Sequence, residues 1–482
     1  MNSSPRTVYG STTSAAAKRI LAFAFAAVCT ACATPAPNPS LPEAPPAFEH
    51  QNAGAAAVWP GAQWYQEFAS DGLTSLIRLA QKNNFDVAAA QSRIRQADAR
   101  ARAAGAALLP QFDAVGNISD IRGRSGNESA HETDWSALLS ASYEIDFWGR
   151  GRAAIDAARA RVLAGQAESD TLKLTTLSSV ATTYFQVLSL RERTDIAKAS
   201  LELARGVLGA VQARYDAGMV TPVELAAQKA AVANAELAIP PLEQQQVEAR
   251  GALALLVGQT PEGFTIKEGP LDELSEPAVS PGLPSELLAR RPDVLSAETN
   301  LAAAHADLAA ARAALFPTLT LTGSGGIQNP AVQAAVITLA GTGPAITVGA
   351  SVVQSVFDGG RRRAVRDEAA AKEQELLANY RSTILSALVD VENALAAIQH
   401  LNLQQQPQTE SLAQSERAFE GARLRYREGA ADYLTMLDSQ RTLYQAREQF
   451  SQYKLARLQA IVSLCKALGG GWQSPSASSA SR

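Results

Sequence analysis

A stretch of this chain occurs twice, and that duplication limits its fold more than any other feature. Gly149-Arg150 opens the first copy, Arg214-Tyr215-Asp216-Ala217-Gly218 turns it and Leu256-Val257-Gly258 closes it. Gly360-Arg361, Arg425-Tyr426-Arg427-Glu428-Gly429 and Ala467-Leu468-Gly469 do the same in the second. Gly360, Tyr426 and Gly469 each stand 211 positions after their counterparts. A constant offset over about 110 residues, with no insertion, means repeated structure.

The periodicity inside the copies is helical. Leu376, Tyr380, Ile384, Leu388, Val391, Leu395 and Ile398 follow the three-and-four spacing of one helix face, and Leu177, Val180, Tyr184 and Val187 match them in copy one. Arg150 to Gly218 is 69 residues, which at ~1.5 Å each predicts about 100 Å of helix. Gly218 can close that helix in a left-handed conformation, and Thr221-Pro222-Val223-Glu224 reads as N-cap, N1 proline and capping box of a return helix. Gly429 and Asp432 take the same places in copy two. Each copy is expected to be a long hairpin with a defined tip; Pro240-Pro241 breaks the return helix in copy one only.

The chain has 482 residues with 43 basic and 47 acidic side chains, a balance that does not favour nucleic acid. Cys29, Cys32 and Cys465 make neither a disulfide framework nor a metal motif. Lys18-Arg19 followed by the apolar Ile20 to Val28 reads as a secretory signal too short to span a bilayer. Small residues then lead to Cys32, which resembles a lipoprotein signal in which that cysteine is acylated. Ala33 is not the Asp that retains such proteins in the inner membrane. Cys29 stands where these signals carry leucine, so simple secretory cleavage is the alternative.

Beyond the signal no apolar run of about 18 residues is seen, so no transmembrane helix is expected. Closed β-structure crosses membranes too, and its trace is alternation over ~10 residues. Trp135, Ala137, Leu139, Ala141, Tyr143, Ile145 and Phe147 alternate with polar residues, as do Ile346, Val348, Ala350, Val352 and Val356. Each run precedes a long helix and has a partner, Pro110 to Ile121 and Pro317 to Ile327; 122–134 and 328–344 read as loops. Phe112, Trp135, Tyr143, Phe147, Trp148 and Phe357 lie towards the ends, as interfacial girdles do. Four strands cannot close in lipid, where open edges leave backbone groups unsatisfied. The barrel must be shared: eight strands nearly fill their interior, whereas twelve leave a lumen.

Asn84 to Pro110 and Arg291 to Pro317 correspond at an offset of 207 and read as Ala-rich helices. The organisation read from the sequence is a signal peptide (1–31), an acylated Pro-rich tether (32–71), helices of the first repeat (72–109), strands 1 and 2 (110–148) and hairpin 1 (149–258). An equatorial linker (259–282), helices of the second repeat (283–315), strands 3 and 4 (316–358), hairpin 2 (359–469) and a tail (470–482) complete it.

With these residues in place the chain resembles the outer membrane efflux protein family, TolC-like, in the lipoprotein (OprM/NodT-like) branch serving resistance-nodulation-division pumps. The resemblance is carried by Tyr143-Glu144-Ile145-Asp146-Phe147-Trp148-Gly149-Arg150, Arg290-Arg291-Pro292-Asp293-Val294 with Ala297-Glu298, Phe316-Pro317, Phe357-Asp358-Gly359-Gly360-Arg361 and Lys466-Ala467-Leu468-Gly469-Gly470-Gly471-Trp472. Trp64-Tyr65 with Phe68 and Leu73 matches the family's opening. The resemblance implies a membrane α+β fold: a homotrimer with a 12-stranded barrel in outer-membrane lipid, continued by a periplasmic helical tunnel.

The chain would then be a passive exit duct. No phosphate-cradling Gly-x-x-x-x-Gly-Lys loop is found. Energy would come from an inner-membrane resistance-nodulation-division transporter, joined through a periplasmic adaptor docking at Arg214, Tyr215, Gly218, Thr221, Arg425, Tyr426, Gly429 and Asp432. A duct needs a closure, and Leu434, Asp438 and Arg441, spaced i, i+4 and i+7, share one helix face beyond the second tip. Their copy-one counterparts Val223, Ala227 and Ala230 carry no charge. Threefold symmetry would turn Asp438 and Arg441 into facing rings; the bland alternative is a surface ion pair worth under about 1 kcal/mol. The resemblance implies that the matching Leu, Asp and Arg form a periplasmic gate.

An enzyme is not expected: His50, His131, His305 and His400 are scattered, Ser463-x-x-Lys466 is a lone pair inside a helix, and no cofactor or metal motif is found. A structural coiled-coil envelope lipoprotein without channel activity is the alternative, but it leaves the alternating strands and the charged tip unexplained.

Overall fold

The computed structural model describes residues 45–51, 57–125, 128–266, 269–328 and 345–473. The signal, Cys32, residues 329–344 and the end of the tail lie outside the described residues. In the first half Asp71–Asn83 (α1) and Phe85–Ala106 (α2) lead to Gln111–Ser125 (β1) and Glu128–Ile145 (β2). Arg150–Asp216 (α3), Pro222–Leu237 (α4) and Ile239–Leu256 (α5) follow. The second half holds Pro284–Leu288 (α6), Pro292–Ala313 (α7), Thr318–Gln328 (β3), Ala345–Val353 (β4), Arg361–Arg427 (α8) and Tyr433–Ala467 (α9).

Both α3 and α8 have 67 residues, and both α2 and α7 have 22. The chain breaks between α4 and α5 at Ala238, just before the two prolines that cannot donate to a helical ladder, whereas α9 runs unbroken for 35 residues. Helix α8 runs straight through Pro407, which the sequence reading had not singled out.

The core lies where the long helices cross the segments around them. Trp64, Tyr65 and Phe68 pack with Tyr184 and Phe185 of α3, Leu253 of α5 and Leu458 of α9. This corrects the expected tether: of 32–71, the part from Trp64 to Phe68 is a buried 3-10 turn, and Val58 bridges to Ser280. Aromatic burial outweighs the flexibility suggested by the prolines before it. The linker 259–282 is likewise strapped down, since Asp272 pairs with Lys454 at 2.8 Å and Glu276 with Arg457.

A second correction concerns α8. One eighteen-residue window of it is long and apolar enough to cross a bilayer by composition. Its Ile384, Ala387 and Val391 are nevertheless fully buried, packed with Leu464 and Leu468 at the end of the second hairpin. The stripe is core.

The four strands form one antiparallel sheet in chain order, β1-β2-β3-β4. The expected loop at 122–134 is corrected: β1 runs to Ser125 and β2 starts at Glu128, paired to the tip through Ile121↔Glu132 and Ser125↔Glu128. Strand β4 ends at Val353, so Val356 lies beyond it.

Candidate functional site: a two-faced sheet and paired hairpin tips

Residues directly opposite in an antiparallel sheet share a face, so the register sorts every strand residue. On one face lie Phe112, Ala114 and Ile118 of β1 against Ala141, Leu139 and Trp135 of β2. The same face continues through Leu321 and Ile327 of β3 to Ile346, Val348 and Val352 of β4. The other face carries Asp113, Asn117, Ser136, Ser140, Glu144, Thr320, Thr322, Ser324, Thr347 and Ser351, with Val115, Leu138 and Val353 as exceptions. The apolar face is uncovered: Leu139 is 57% exposed, Ile346 80% and Val348 84%. A soluble sheet buries its apolar face; one that shows it to the surroundings while turning hydroxyls and amides to the other side suits lipid outside and water inside.

The apolar band has ends. From Tyr143 back to Trp135 is nine residues of β2, about the length a tilted strand needs to span a bilayer. Phe112 pairs beside Tyr143's end and Ile118 opposite Trp135. Trp135 therefore lies within β2 rather than at its end. Among the described residues β1 and β4 each pair on one side only.

At the membrane-proximal end, carboxylates turn strand into helix. Asp146 accepts the backbone N–H groups of Gly151 and Arg152, both at 2.9 Å. Burial opposes its ionisation, but those N–H groups and the Arg152 guanidinium hold its pKa below the usual range. Asp358 does the same for Gly360 and Arg362 at the start of α8. Negative charge at a helix N-terminus is favourable for the same reason.

At the far end the two tips are joined. Gly218 and Gly429 adopt φ values of 72° and 76°, Thr221 and Glu224 form the reciprocal capping box, and Asp432 accepts the Thr435 N–H at 2.7 Å. Tyr215, Gly218, Thr221, Arg425, Gly429 and Asp432 are exposed. Tyr426 is corrected as a docking residue, because its ring is buried with Val207, Val211 and Met436. Arg214 of α3 donates to the Tyr426 carbonyl at 3.1 Å and lies over its ring. Gln228 of α4 donates to the Ala204 carbonyl and accepts the Tyr433 hydroxyl at 2.7 Å. The sequence reading missed Gln228 and Tyr433; their counterparts at the repeat offset are Ser439 and Pro222, so repetition offers no signal for them.

Burial pushes the Tyr433 phenol up to about 12, with Tyr426 and Glu224 adding. A phenol whose pKa is higher folded than unfolded stabilises the fold fully below its ordinary pKa, and that contribution is lost as pH rises towards 12. Melting temperature measured from pH ~9 to ~11.5 should therefore fall more steeply in the wild type than in Tyr433→Phe. At neutral pH the variant should cost about 1–3 kcal/mol through the orphaned Gln228 amide oxygen.

Leu434, Asp438 and Arg441 all lie exposed on α9. Neither charged side chain has a hydrogen-bond or ion-pair partner among the described residues. Arg441 lines a groove of about 500 Å³ together with Ala227 and Ala230, the copy-one counterparts of Asp438 and of Arg441 itself. Among the described residues both charges are unpaired, and Arg441 borders a small-residue surface.

Glu49, His50 and Glu392 gather within 4.8 Å, but His50 already binds the Glu392 carboxylate through ring and backbone nitrogens, which pins residues 45–51 to α8. Cys465 is fully buried, and burial pushes its thiol up to about 12. The native mature protein should take no maleimide at neutral pH. Unfolded, it should show one thiol per chain if the Cys32 sulfur is acylated and Cys29 removed; two would contradict acylation.

Comparison with known proteins settles the family. The model of the outer membrane efflux protein family matches residues 76–259 and 283–470. The chain belongs to the outer membrane efflux protein family. The pyoverdine export outer membrane protein OpmQ of Pseudomonas aeruginosa is 43% identical over 450 residues, covering 92% of this chain and 94% of that protein. The cation efflux system protein CusC of Escherichia coli K12 is 30% identical over 467 residues, covering 94% and 99%. The solved outer-membrane channel OprN superposes with a TM-score of 0.83 at 27% identity over 91% of this chain and 100% of that one. This efflux protein is accordingly an outer-membrane exit duct reaching into the periplasm.

Proposed function

We propose that three copies of the chain close a 12-stranded barrel and a helical tunnel, forming the passive last stage of a tripartite pump. The observation that carries this is the sheet: four strands, apolar on one face and polar on the other, with unpaired edges at β1 and β4. Those edges cannot stay open in lipid, and twelve strands leave a water-filled lumen for the polar face where eight would not. Cys32, acylated, would add a lipid anchor. A periplasmic adaptor docks on the exposed tips, at Arg214, Tyr215, Gly218, Thr221, Arg425, Gly429 and Asp432, and an inner-membrane resistance-nodulation-division transporter supplies the energy. The chain performs no catalysis and needs no cofactor.

Leu434, Asp438 and Arg441 form the gate. In a ring each Asp438 pairs with a neighbour's Arg441, and opening moves the second hairpin outward when adaptor or pump biases it. That neither charge has a partner among the described residues of one chain supports this. Because OpmQ exports pyoverdine, as its name states, pyoverdine is the cargo to test first. Cells making the Asp438→Ala, Arg441→Ala variant should admit a large glycopeptide antibiotic several-fold faster than cells making the wild type; equal entry would remove the gate from this position.

A further inference from the structure

Helices α4 and α9 both pack on α3, and near the tips the bond between Tyr433 and Gln228 ties them together. Beyond that tie the groove of about 500 Å³ opens between them, with Ala197 of α3 also lining it. Helix α4 contributes Ala227, Ala230, Ala231, Asn234, Ala235 and Ala238, a single face at three-and-four spacing. A helix seam places large interlocking side chains at such positions. Here methyl groups stand where the second copy carries Asp438, Arg441, Thr442 and Gln449, and the space is the volume those side chains would fill.

Two groups bordering the groove lack partners. Gln440 of α9 is 6% exposed, and its amide oxygen is buried with no hydrogen bond among the described residues. Folded proteins rarely leave such an acceptor unmade, because the lost hydration is not recovered. The last torsion of an amide side chain is soft, so the oxygen can turn to a donor entering the groove while the helix stays in place. Arg441, at the rim, is the one charged side chain among the described residues that line the groove. Charges nearby are already paired, Arg193 with Glu448 and Lys198 with Glu243. Leu437 and the half-buried Tyr444 complete the α9 side.

We propose that this groove binds a small aromatic acid carrying an N–H or O–H donor. Its ring lies along the alanines, its donor reaches the Gln440 amide oxygen and its carboxylate meets Arg441. The volume is within the range of small-molecule sites, which pair an apolar wall with a few placed polar groups in this way. Arg441 is also the cation assigned to the gate, so a bound acid draws it from Asp438 of the neighbouring copy and favours opening. That consequence rests on the gate reading; the site itself does not.

The test is titration calorimetry on the purified full-length oligomer with indole-3-acetate, its N-methyl analogue and indole. Ala231→Phe, which fills the groove, serves as the blank for partition into detergent. Indole-3-acetate should bind the wild type saturably, and both the analogue without N–H and indole without carboxylate should bind about tenfold more weakly. Gln440→Met, close in volume, should melt no lower than the wild type, weaken indole-3-acetate about tenfold and erase the difference between the two acids. No saturable binding, equal binding by Ala231→Phe, or discrimination that persists in Gln440→Met would overturn the proposal. Failure of Ala231→Phe to assemble, with no binding to the wild type, would also overturn it and mean that another chain fills the groove. Indole-3-acetate should raise bilayer conductance in the wild type and leave Gln440→Met unchanged. Saturable binding that depends on Gln440 but leaves conductance unaltered would uphold the site and contradict its link to the gate.

Discussion

Leu139→Arg is expected to abolish insertion, while Ser140→Arg, one residue on, is expected to leave it nearly unchanged. Leu139 is the middle of the nine-residue apolar band between Trp135 and Tyr143, and its side chain points away from the polar face. An arginine at the midplane of a lipid-facing strand costs about 2–4 kcal/mol. In the barrel proposed for three copies that would come to roughly 6–12 kcal/mol, enough to drop inserted protein below a tenth of wild type. Ser140 faces the other way and sits near Asp113, whose carbonyl it contacts at 3.3 Å; an arginine there meets water and a carboxylate. Separation of outer-membrane fractions would check both. Equal insertion of the two variants would mean that this face does not meet lipid.

The second large effect is expected at the hairpin ends. Gly258 and Gly469 hold φ values of 70° and 84°, a region that costs other residues about 1–2 kcal/mol. A Cβ at Gly258 would overlap the carbonyl of Asn83, and one at Gly469 that of Arg290. The two carbonyls are themselves repeat counterparts, each directly before the N-cap of its helix, Asn84 of α2 and Arg291 of α7. Backbone cannot swing aside as a side chain does, so overpacking adds about 1–3 kcal/mol. Gly258→Ala and Gly469→Ala should each lose about 2–5 kcal/mol, read as lower melting temperature and faster proteolysis. Gly218→Ala and Gly429→Ala, with nothing within 4 Å of the added carbon, should lose only the conformational part.

How far the molecule could be read from its residues follows from where each signal arises. Hairpin lengths were legible because offset, tip glycines and caps are local and repeated; α3 and α8 begin and end 211 positions apart. The strands were legible inside the bilayer, where lipid and lumen impose alternation. Past Ile118 the alternation in the sequence stops, and 122–134 resembled a loop although the backbone pairing continues there. The fold of Trp64, Tyr65 and Phe68 was hidden by the prolines around it, since its cause is burial against Phe185 of a helix more than a hundred residues on. At the tips, the caps were readable. The bond between Gln228 and Tyr433 was not, because it depends on how two hairpins 205 residues apart meet. The repeat also made Tyr215 and Tyr426 look equivalent, whereas one is exposed and the other buried, because only the second faces the opposite hairpin of its own chain.

If the chain assembles into a duct closed by charge at its periplasmic end, planar-bilayer conductance of the purified protein should be small in the wild type and rise several-fold in the Asp438→Ala, Arg441→Ala variant. Equal and open conductance in both would contradict the gate, and no conductance in either would contradict the duct and leave a coiled-coil spacer of the envelope.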